Sequence, residues 1–307
     1  MQTILGSPGV IGIELARQLP QYTRHIRLVS RQPEKINPED ETFAADLLDP
    51  EQTMRAVEGS EIVYLTTGLQ YNVDVWREQW PRIMEHVIAA CEAHHAKLVF
   101  FDNVYMYGRV KGWMTESSAI QPVSEKGKVR AQIAAMITTE VEKGRLTALI
   151  SRSADFYGPG PVNGVPNLLV LQRLKAGKNA QWLLNANVLH SLTYVPDAGK
   201  ATAMLGNTPD AFNQVWHLPT QREAITGRQF IQLAAEAFGV PPKFAVLHKW
   251  QLRLVALMNS SVRETLEMNY QNEFEYLFDS SKFEKAFHYS PASYVDGIRE
   301  SVRLMRV

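Results

Sequence analysis

The stretch Thr3-Ile4-Leu5-Gly6-Ser7-Pro8-Gly9-Val10-Ile11-Gly12-Ile13-Glu14-Leu15-Ala16-Arg17-Gln18-Leu19 decides the fold. A short apolar run leads into a G-x-x-G-x-x-G turn, and the turn leads into an amphipathic helical pattern. A pyrophosphate needs bare backbone N–H groups and the positive end of a helix dipole. Side chains at the glycine positions would block its approach. The order strand, turn, helix therefore points to dinucleotide binding by Gly6, Ser7, Pro8, Gly9, Val10, Ile11 and Gly12. The alternative is a glycine-rich turn that binds nothing, because a glycine triplet alone is a weak motif.

Outward from this stretch, apolar runs alternate with helical patterns. Strands are expected at 3–5, 26–30, 42–44, 61–65, 97–101 and 146–150, and helices at 11–19, 51–57, 76–94 and 129–143. Strands alternating with helices of this length imply an α/β fold, a Rossmann-type doubly wound parallel sheet. The strands read as nearly continuous apolar runs, as expected when both faces are covered. Beyond Gly158-Pro159-Gly160-Pro161 the pattern is less regular. Helices are expected at 168–176, 196–206, 227–238, 250–258 and 292–305, with short strands at 181–184, 191–195, 215–218 and 275–278. The reading is a dinucleotide-binding domain over 1–160, with 190–220 returning to it. A smaller interleaved C-terminal α/β lobe over 161–307 would carry the substrate.

Bulk properties narrow the function classes. The chain has 307 residues, 45% of them hydrophobic, enough for a buried core. Lys plus Arg equals Asp plus Glu at 32 each, so no basic excess favours nucleic acid or an anionic membrane, although a local patch stays open. A core strand at the very start leaves no place for a signal peptide, and no apolar run approaches the ~20 residues of a membrane span. The single cysteine, Cys91, excludes an internal disulfide and fits a cytoplasmic location. Cys91, His94 and His95 lack a matching ligand set elsewhere, so no metal is expected. Glu14 and Arg17 read as a solvated helix face.

The tip of the second strand speaks to the choice of dinucleotide. A carboxylate there bonds the ribose hydroxyls of NAD, whereas an arginine accommodates the 2′-phosphate of NADP. Here the sequence is Leu28-Val29-Ser30-Arg31. Arg31 offers a planar, permanently charged fork, and Lys35 a second cation, so NADP is favoured and NAD remains possible. Asp46 and Leu47, after the third strand, are candidates for the adenine edge. Thr66, Thr67 and Gly68 end the fourth strand, where ligands of such sheets sit.

Further stretches carry a family resemblance. They are Tyr105-Met106-Tyr107-Gly108, Arg152-Ser153-Ala154-Asp155-Phe156-Tyr157-Gly158-Pro159-Gly160, Thr193-Tyr194-Val195-Pro196-Asp197-Ala198 and the ending Asp279-Ser280-Ser281-Lys282 through Tyr289-Ser290-Pro291. With the glycine turn, and in this order, they resemble the extended short-chain dehydrogenase/reductase family, which includes the NAD-dependent epimerases and dehydratases. The resemblance covers nearly the whole chain. It implies a Ser or Thr, a Tyr and a Lys as the working set, the last two spaced Y-x-x-x-K on one helix face. This chain departs from that set. Asn103 stands in the serine slot, Lys126 in the tyrosine slot and Arg130 in the lysine slot. Asn103 can orient a carbonyl, Arg130 can hold ribose hydroxyls, and Lys126 is a candidate for proton transfer. The alternative is a solvated cationic turn. A literal Tyr107-Gly108-Arg109-Val110-Lys111 lies in the loop after the fifth strand, where glycines oppose a helix. It reads as a chance match, with Tyr107 near the mouth of the cleft.

For the many members of that family that act on nucleotide sugars, the resemblance also implies an Asn after the sixth strand and an Arg before the V-x-D helix. These slots hold Asp155 and His190, which argues against such a substrate. Trp113 and Met114 are candidates for an apolar pocket or for ordinary packing. By analogy with the family, the helix at 76–94 suggests a homodimer. Three functions stay open: an oxidoreductase acting on a small carbonyl or hydroxyl compound, an epimerase or dehydratase, and a catalytically silent NADP-binding sensor.

Overall fold

The computed structural model describes residues 1–306. They form two compact units, each built from three separate stretches. The first comprises Met1–Met106, Glu125–Ser153 and Ala198–Leu218; the second comprises Tyr107–Ser124, Ala154–Asp197 and the residues from 219 onward. Residues 107–124 and 154–160 belong to the second unit, and the stretch that returns to the first is 198–218.

The first unit is built on a sheet of strands β1 (Gln2–Leu5), β2 (Ile26–Ser30), β3 (Glu41–Ala44), β4 (Ile62–Leu65), β5 (Lys97–Asp102), β6 (Ala148–Arg152) and β7 (Val215–His217). Their order is β7-β6-β5-β4-β1-β2-β3 and every neighbouring pair is parallel. The chain moves outward from β1 to β3, then crosses back to β4 on the other side. The winding thus reverses at β1, which makes the carboxyl end of that strand the switch point of the sheet. β1, β4, β6 and most of β5 are buried, with Ile4, Leu5, Val63, Tyr64, Leu65 and Phe100 wholly out of water. Sixth-strand expectations slip by two residues. Leu146 is buried, as its apolar side chain demands, but it precedes the strand.

Helices α1 (Val10–Gln18), α2 (Pro50–Val57), α3 (Val73–Ala93) and α4 (Glu125–Glu142) connect the strands. Their starts follow capping chemistry. Asp49 accepts the N–H groups of Glu51 and Gln52 ahead of α2, and Asn72 accepts those of Asp74 and Val75 ahead of α3. The Asn72 cap sets the start of α3 three residues before the first large apolar residue, Trp76. Along α3, Trp76, Trp80, Ile83, Met84, Val87, Ile88 and Cys91 turn inward at helical spacing and join the core with Ile133 and Ile137 of α4.

The returning helix α5 (Val195–Gly206) comes very close to its neighbours. A Cβ on Gly206 would lie 2.3 Å from the Tyr64 hydroxyl, and one on Gly199 would lie 2.6 Å from Cβ of Glu14. The Tyr64 hydroxyl donates to Gln2 and accepts from Asn207, tying this helix end to the sheet centre. The close approach at Gly199 also corrects the reading of Glu14. It is buried, not solvated, and is paired with Arg17 at 2.5 Å.

Among the described residues the strands of the second unit form two-stranded pieces: Asp155–Tyr157 with Leu192–Tyr194, Ala180–Leu183 with Phe244–Leu247, Leu189–His190 with Ile225–Thr226, and Trp113–Met114 with Leu277–Phe278. Its core gathers Tyr157, Leu171, Trp182, Phe230, Ile231, Tyr294 and Ile298. The helix Gly227–Phe238 begins with a Thr226/Gln229 capping box and stops at Gly239 in the left-handed region. Met114 is buried while Trp113 is half exposed beneath the Arg222 guanidinium, so this pair packs as an ordinary strand.

Candidate functional site

The glycine turn is dictated by its neighbours. Gly6 donates its N–H to Val29 O at 2.9 Å, and its carbonyl accepts from Gly9 N at 2.9 Å. Its φ is +112°, and a Cβ there would lie 2.5 Å from both N and Cα of Thr67. A Cβ on Gly9 would meet Gly6 O at 2.9 Å. At Gly12 the contacts would be Gly6 O and Thr66 Oγ1, each at 3.2 Å. The turn is thus pressed against the end of β4. Glycine is needed here by packing before any ligand is considered.

Ser7 supplies the test of whether a dinucleotide fits. Its side chain is wholly buried, yet Oγ has no hydrogen-bond partner among the described residues. A buried orphan hydroxyl costs about 1–3 kcal/mol. It stands beside the start of α1, whose N-cap is Gly9, with no side-chain cap and no acid in the first turn. The free N–H groups of that turn and the dipole favour an anion there. A dinucleotide pyrophosphate suits this donor set. Gly6, Ser7, Pro8, Gly9, Val10, Ile11 and Gly12 would line it, with Ile11 and Gly12 themselves buried.

Arg31 follows β2, is exposed, and makes no hydrogen bond or ion pair among the described residues. The Ser30 hydroxyl turns back to accept Gln32 N–H, and Lys35 is engaged with Pro38 O. Asp46 uses Oδ1 to accept Leu48 N–H. The Leu47 side chain is buried in the core, and its carbonyl is engaged by His86 Nδ1 at 2.9 Å and Thr53 Oγ1 at 3.3 Å. Thr66 and Thr67 both donate their hydroxyls to Leu5 O at the end of β1, whereas Gly68 faces open space.

At the end of β5 the first unit buries charge. Asp102 accepts Arg130 Nε at 2.7 Å and Arg152 Nε at 3.4 Å, and also the Asn103 N–H at 2.9 Å. Arg130 Nη2 pairs with the same carboxylate. Asp102 and Arg152 are register partners across β5 and β6. The Arg130 guanidinium is nearly inaccessible and lies 4.6 Å from the Trp80 ring centre and 4.9 Å from that of Phe100. Arg130 is therefore spent on a buried pair in an aromatic setting. Asp102 went unread in the sequence, although a carboxylate opposite an arginine at the ends of neighbouring apolar strands is a visible signal.

Lys126 opens α4 and is wholly buried, with Nζ 4.6 Å from the centre of the Tyr71 ring. Tyr71 packs edge-on against Trp76, and Trp76 stacks on Tyr105. The solvated cationic turn is thus corrected for Lys126 and Arg130. Lys128, which lies between them in the sequence, is exposed and held by Glu125 at 2.6 Å. Asn103 turns its Oδ1 to the Tyr105 N–H. Tyr107 lies in the second unit and is buried, at the end of the short helical turn Tyr105–Tyr107. Gly108 and Gly112 then have φ of +66° and +82°, so no helix aligns Tyr107 with Lys111.

In the second unit Asp155 Oδ2 lies 3.0 Å from His190 Nε2. The imidazole is buried, stacked on the Tyr276 ring at 4.4 Å, and its Nδ1 has no partner among the described residues. Asp155 keeps about a quarter of its side chain in contact with water. The two residues singled out separately in the sequence thus form one pair.

Among the described residues no group of His, Cys, Asp and Glu could hold a metal ion. Burial pushes the Cys91 thiol up to about 12, far from thiolate chemistry at neutral pH. A maleimide at pH 7.5 is expected to leave the native protein unlabelled and to label it once in guanidinium, read by mass spectrometry. Labelling of the native protein would show that Cys91 is accessible.

Comparison with known proteins agrees with this architecture. Residues 3–217 match the NAD dependent epimerase/dehydratase family. The chain belongs to that family. No curated protein matches the sequence. Among solved structures, the UDP-glucose 4-epimerase of Thermus thermophilus in complex with NAD superposes with a TM-score of 0.79 at 18% identity, covering 100% of this chain and 99% of the other. The dTDP-glucose 4,6-dehydratase DesIV of Streptomyces venezuelae gives 0.77 at 16%, covering 100% and 97%. The UDP-glucuronic acid 4-epimerase of Bacillus cereus gives 0.79 at 15%, covering 100% and 99%. At these identities the likeness concerns the fold. The extended short-chain dehydrogenase/reductase resemblance is the same family under its broader name.

Proposed function

We propose that this member of the epimerase/dehydratase family is an NADP-preferring oxidoreductase for a small carbonyl or hydroxyl compound. Its acid/base group is Lys126 instead of tyrosine. The observation that carries the reading is the first turn of α4, where a lysine is held beneath the Tyr71 ring in the slot of the family's proton-transferring residue. When bound, the dinucleotide supplies hydride transfer.

Each residue then has a defined task. Ser7 Oγ and the first N–H groups of α1 bind the pyrophosphate, and Arg31 takes the 2′-phosphate. Asn103 has its Oδ1 occupied by Tyr105 N–H and offers Nδ2 to orient a substrate oxygen. Lys126 Nζ gives that oxygen a proton as a carbonyl is reduced, and takes it back as an alcohol is oxidised. Arg130 acts through Asp102 as a positioning residue, and Tyr107 takes no step. The substrate is not a nucleotide sugar. The slots for the diphosphate contacts hold a carboxylate and an imidazole bonded to one another.

A second reading, a dinucleotide-binding protein without turnover, is favoured by the complete burial of Lys126 and the engagement of Arg130. A retained cofactor, seen as absorbance at the nicotinamide band in the purified protein, would favour epimerase or dehydratase chemistry instead. One experiment separates the readings: titration with NAD, NADH, NADP and NADPH, followed by NADPH turnover on a carbonyl panel. NADPH is expected to bind more tightly than NADH, and Arg31→Ala to abolish that preference. Equal wild-type affinity sinks the 2′-phosphate argument. Lys126→Met is expected to lower turnover by about 10²–10⁴ while leaving nucleotide affinity unchanged. Surviving turnover removes Lys126 from the mechanism, and tight binding without any turnover selects the silent protein.

A further inference from the structure

The helix Lys249–Met258 is unusual for a surface helix. Leu252 and Ala256, one turn apart, are its buried residues. Yet Trp250, Leu254, Val255, Leu257 and Met258 also point away from the body of the unit, Leu257 at 78% and Met258 at 96% exposure. Trp250, Leu254, Leu257 and Met258 follow helical spacing and form one continuous apolar face. Scattered exposed apolar residues are ordinary, but a contiguous face of large ones marks an interaction surface. The helix is well built rather than frayed. Gln251 accepts the His248 N–H at its start, and Asn259 ends it and caps the next helix.

The sequence segment that carries this helix is one-sided in charge. Residues 237–263 contain no Asp or Glu, but they contain Lys243, Lys249, Arg253, Arg263 and His248. Lys249 is paired with Glu273 at 3.2 Å. Lys243, Arg253 and Arg263 are exposed and make no ion pair among the described residues. Arg253 lies three residues after Trp250 and four before Leu257, on the rim of the apolar face. The acids resume at Glu264 and Glu267, which are half-buried. The neutral net charge of the chain averages over this local excess. Among the described residues no helix is long and apolar enough to cross a membrane. A helix with tryptophan, leucine and methionine on one exposed face and an unpaired cation, Arg253, on its rim suits the plane of an anionic bilayer interface.

We propose that this helix docks the protein on an anionic lipid surface, with Trp250, Leu254, Leu257 and Met258 at the acyl boundary and Lys243, Arg253 and Arg263 against the headgroups. The proposal is independent of the reaction catalysed. The test is flotation of the full-length protein with vesicles of phosphatidylcholine alone and of phosphatidylcholine mixed with phosphatidylserine. Flotation is expected with the mixed vesicles only, falling as salt is raised. A blue shift of tryptophan emission should accompany it and disappear in Trp250→Phe. The double variant Leu257→Gln/Met258→Gln alters two exposed positions and is expected to keep the wild-type circular dichroism while losing at least about tenfold in binding. Absence of flotation at low salt overturns the proposal, as does equal binding to uncharged vesicles. If sedimentation equilibrium shows a dimer that the double variant dissociates, the face belongs to a second copy of the chain and the lipid assignment falls.

Discussion

Replacing Asp102 with alanine is expected to destabilise the protein by about 3–5 kcal/mol, the cost of stranding a buried charge whose partner has been removed. The carboxylate holds Arg130 and Arg152 together, and both side chains are nearly inaccessible to water. Trp80 and Phe100 offer Arg130 their ring faces, but cation–π contacts of ~0.5–2 kcal/mol do not replace a carboxylate. At roughly 2–4 °C per kcal/mol, the fall in melting temperature is expected to lie near 6–20 °C. Arg130→Met should cost less, because it leaves Asp102 with Arg152 and puts an apolar chain among aromatic rings. The pair of variants also discriminates roles. If Arg130 serves only through Asp102, Arg130→Met leaves nucleotide affinity unchanged; if it touches the cofactor ribose, affinity falls without Asp102 being altered. A melting shift of only a degree or two in Asp102→Ala would falsify the buried-pair account.

This pair also shows where the sequence stops being readable. The inner strands of the first unit could be read because they are covered on both faces and are therefore largely apolar, as at Ile62–Leu65 and at Ala148, Leu149 and Ile150. The turn could be read because steric need and ligand chemistry demand the same glycines. The role of Arg130 could not be read, since its partner lies 28 residues away and becomes a neighbour only when β5 and α4 pack. Glu14 looked solvated for the same reason: its cover, Gly199, comes from α5 far along the chain. The second unit was harder still. Strands such as Asp155–Tyr157 and Phe244–Leu247 pair with one partner each and are too short to carry a period. The Asp155 and His190 slots were visible as departures from a family pattern. That they bond to each other depends on a fold that sequence spacing does not encode.

The glycine turn yields the other large expected effect, and it separates packing from binding. Gly6→Ala forces a side chain into a backbone with φ of +112° and toward Thr67 atoms 2.5 Å away, neither of which can retreat without moving β4. Left-handed strain of about 1–3 kcal/mol adds to a comparable overpacking cost. The melting temperature should drop by several degrees, and NADPH affinity should fall with it because the turn is displaced. Gly68→Ala is the control: its Cβ meets nothing within 4 Å and its φ is ordinary, so stability should not change. Ser7→Ala then moves the two readouts in opposite directions. The Ser7 hydroxyl is buried with no partner among the described residues, so removing it should raise the melting temperature of the nucleotide-free protein, by up to about 1–3 kcal/mol of relieved desolvation. If that hydroxyl serves the pyrophosphate, the same variant must bind NADPH more weakly. A merely structural serine would lower stability or leave affinity untouched. A variant that is more stable when empty and weaker in binding is therefore the signature of a residue held unsatisfied for its ligand.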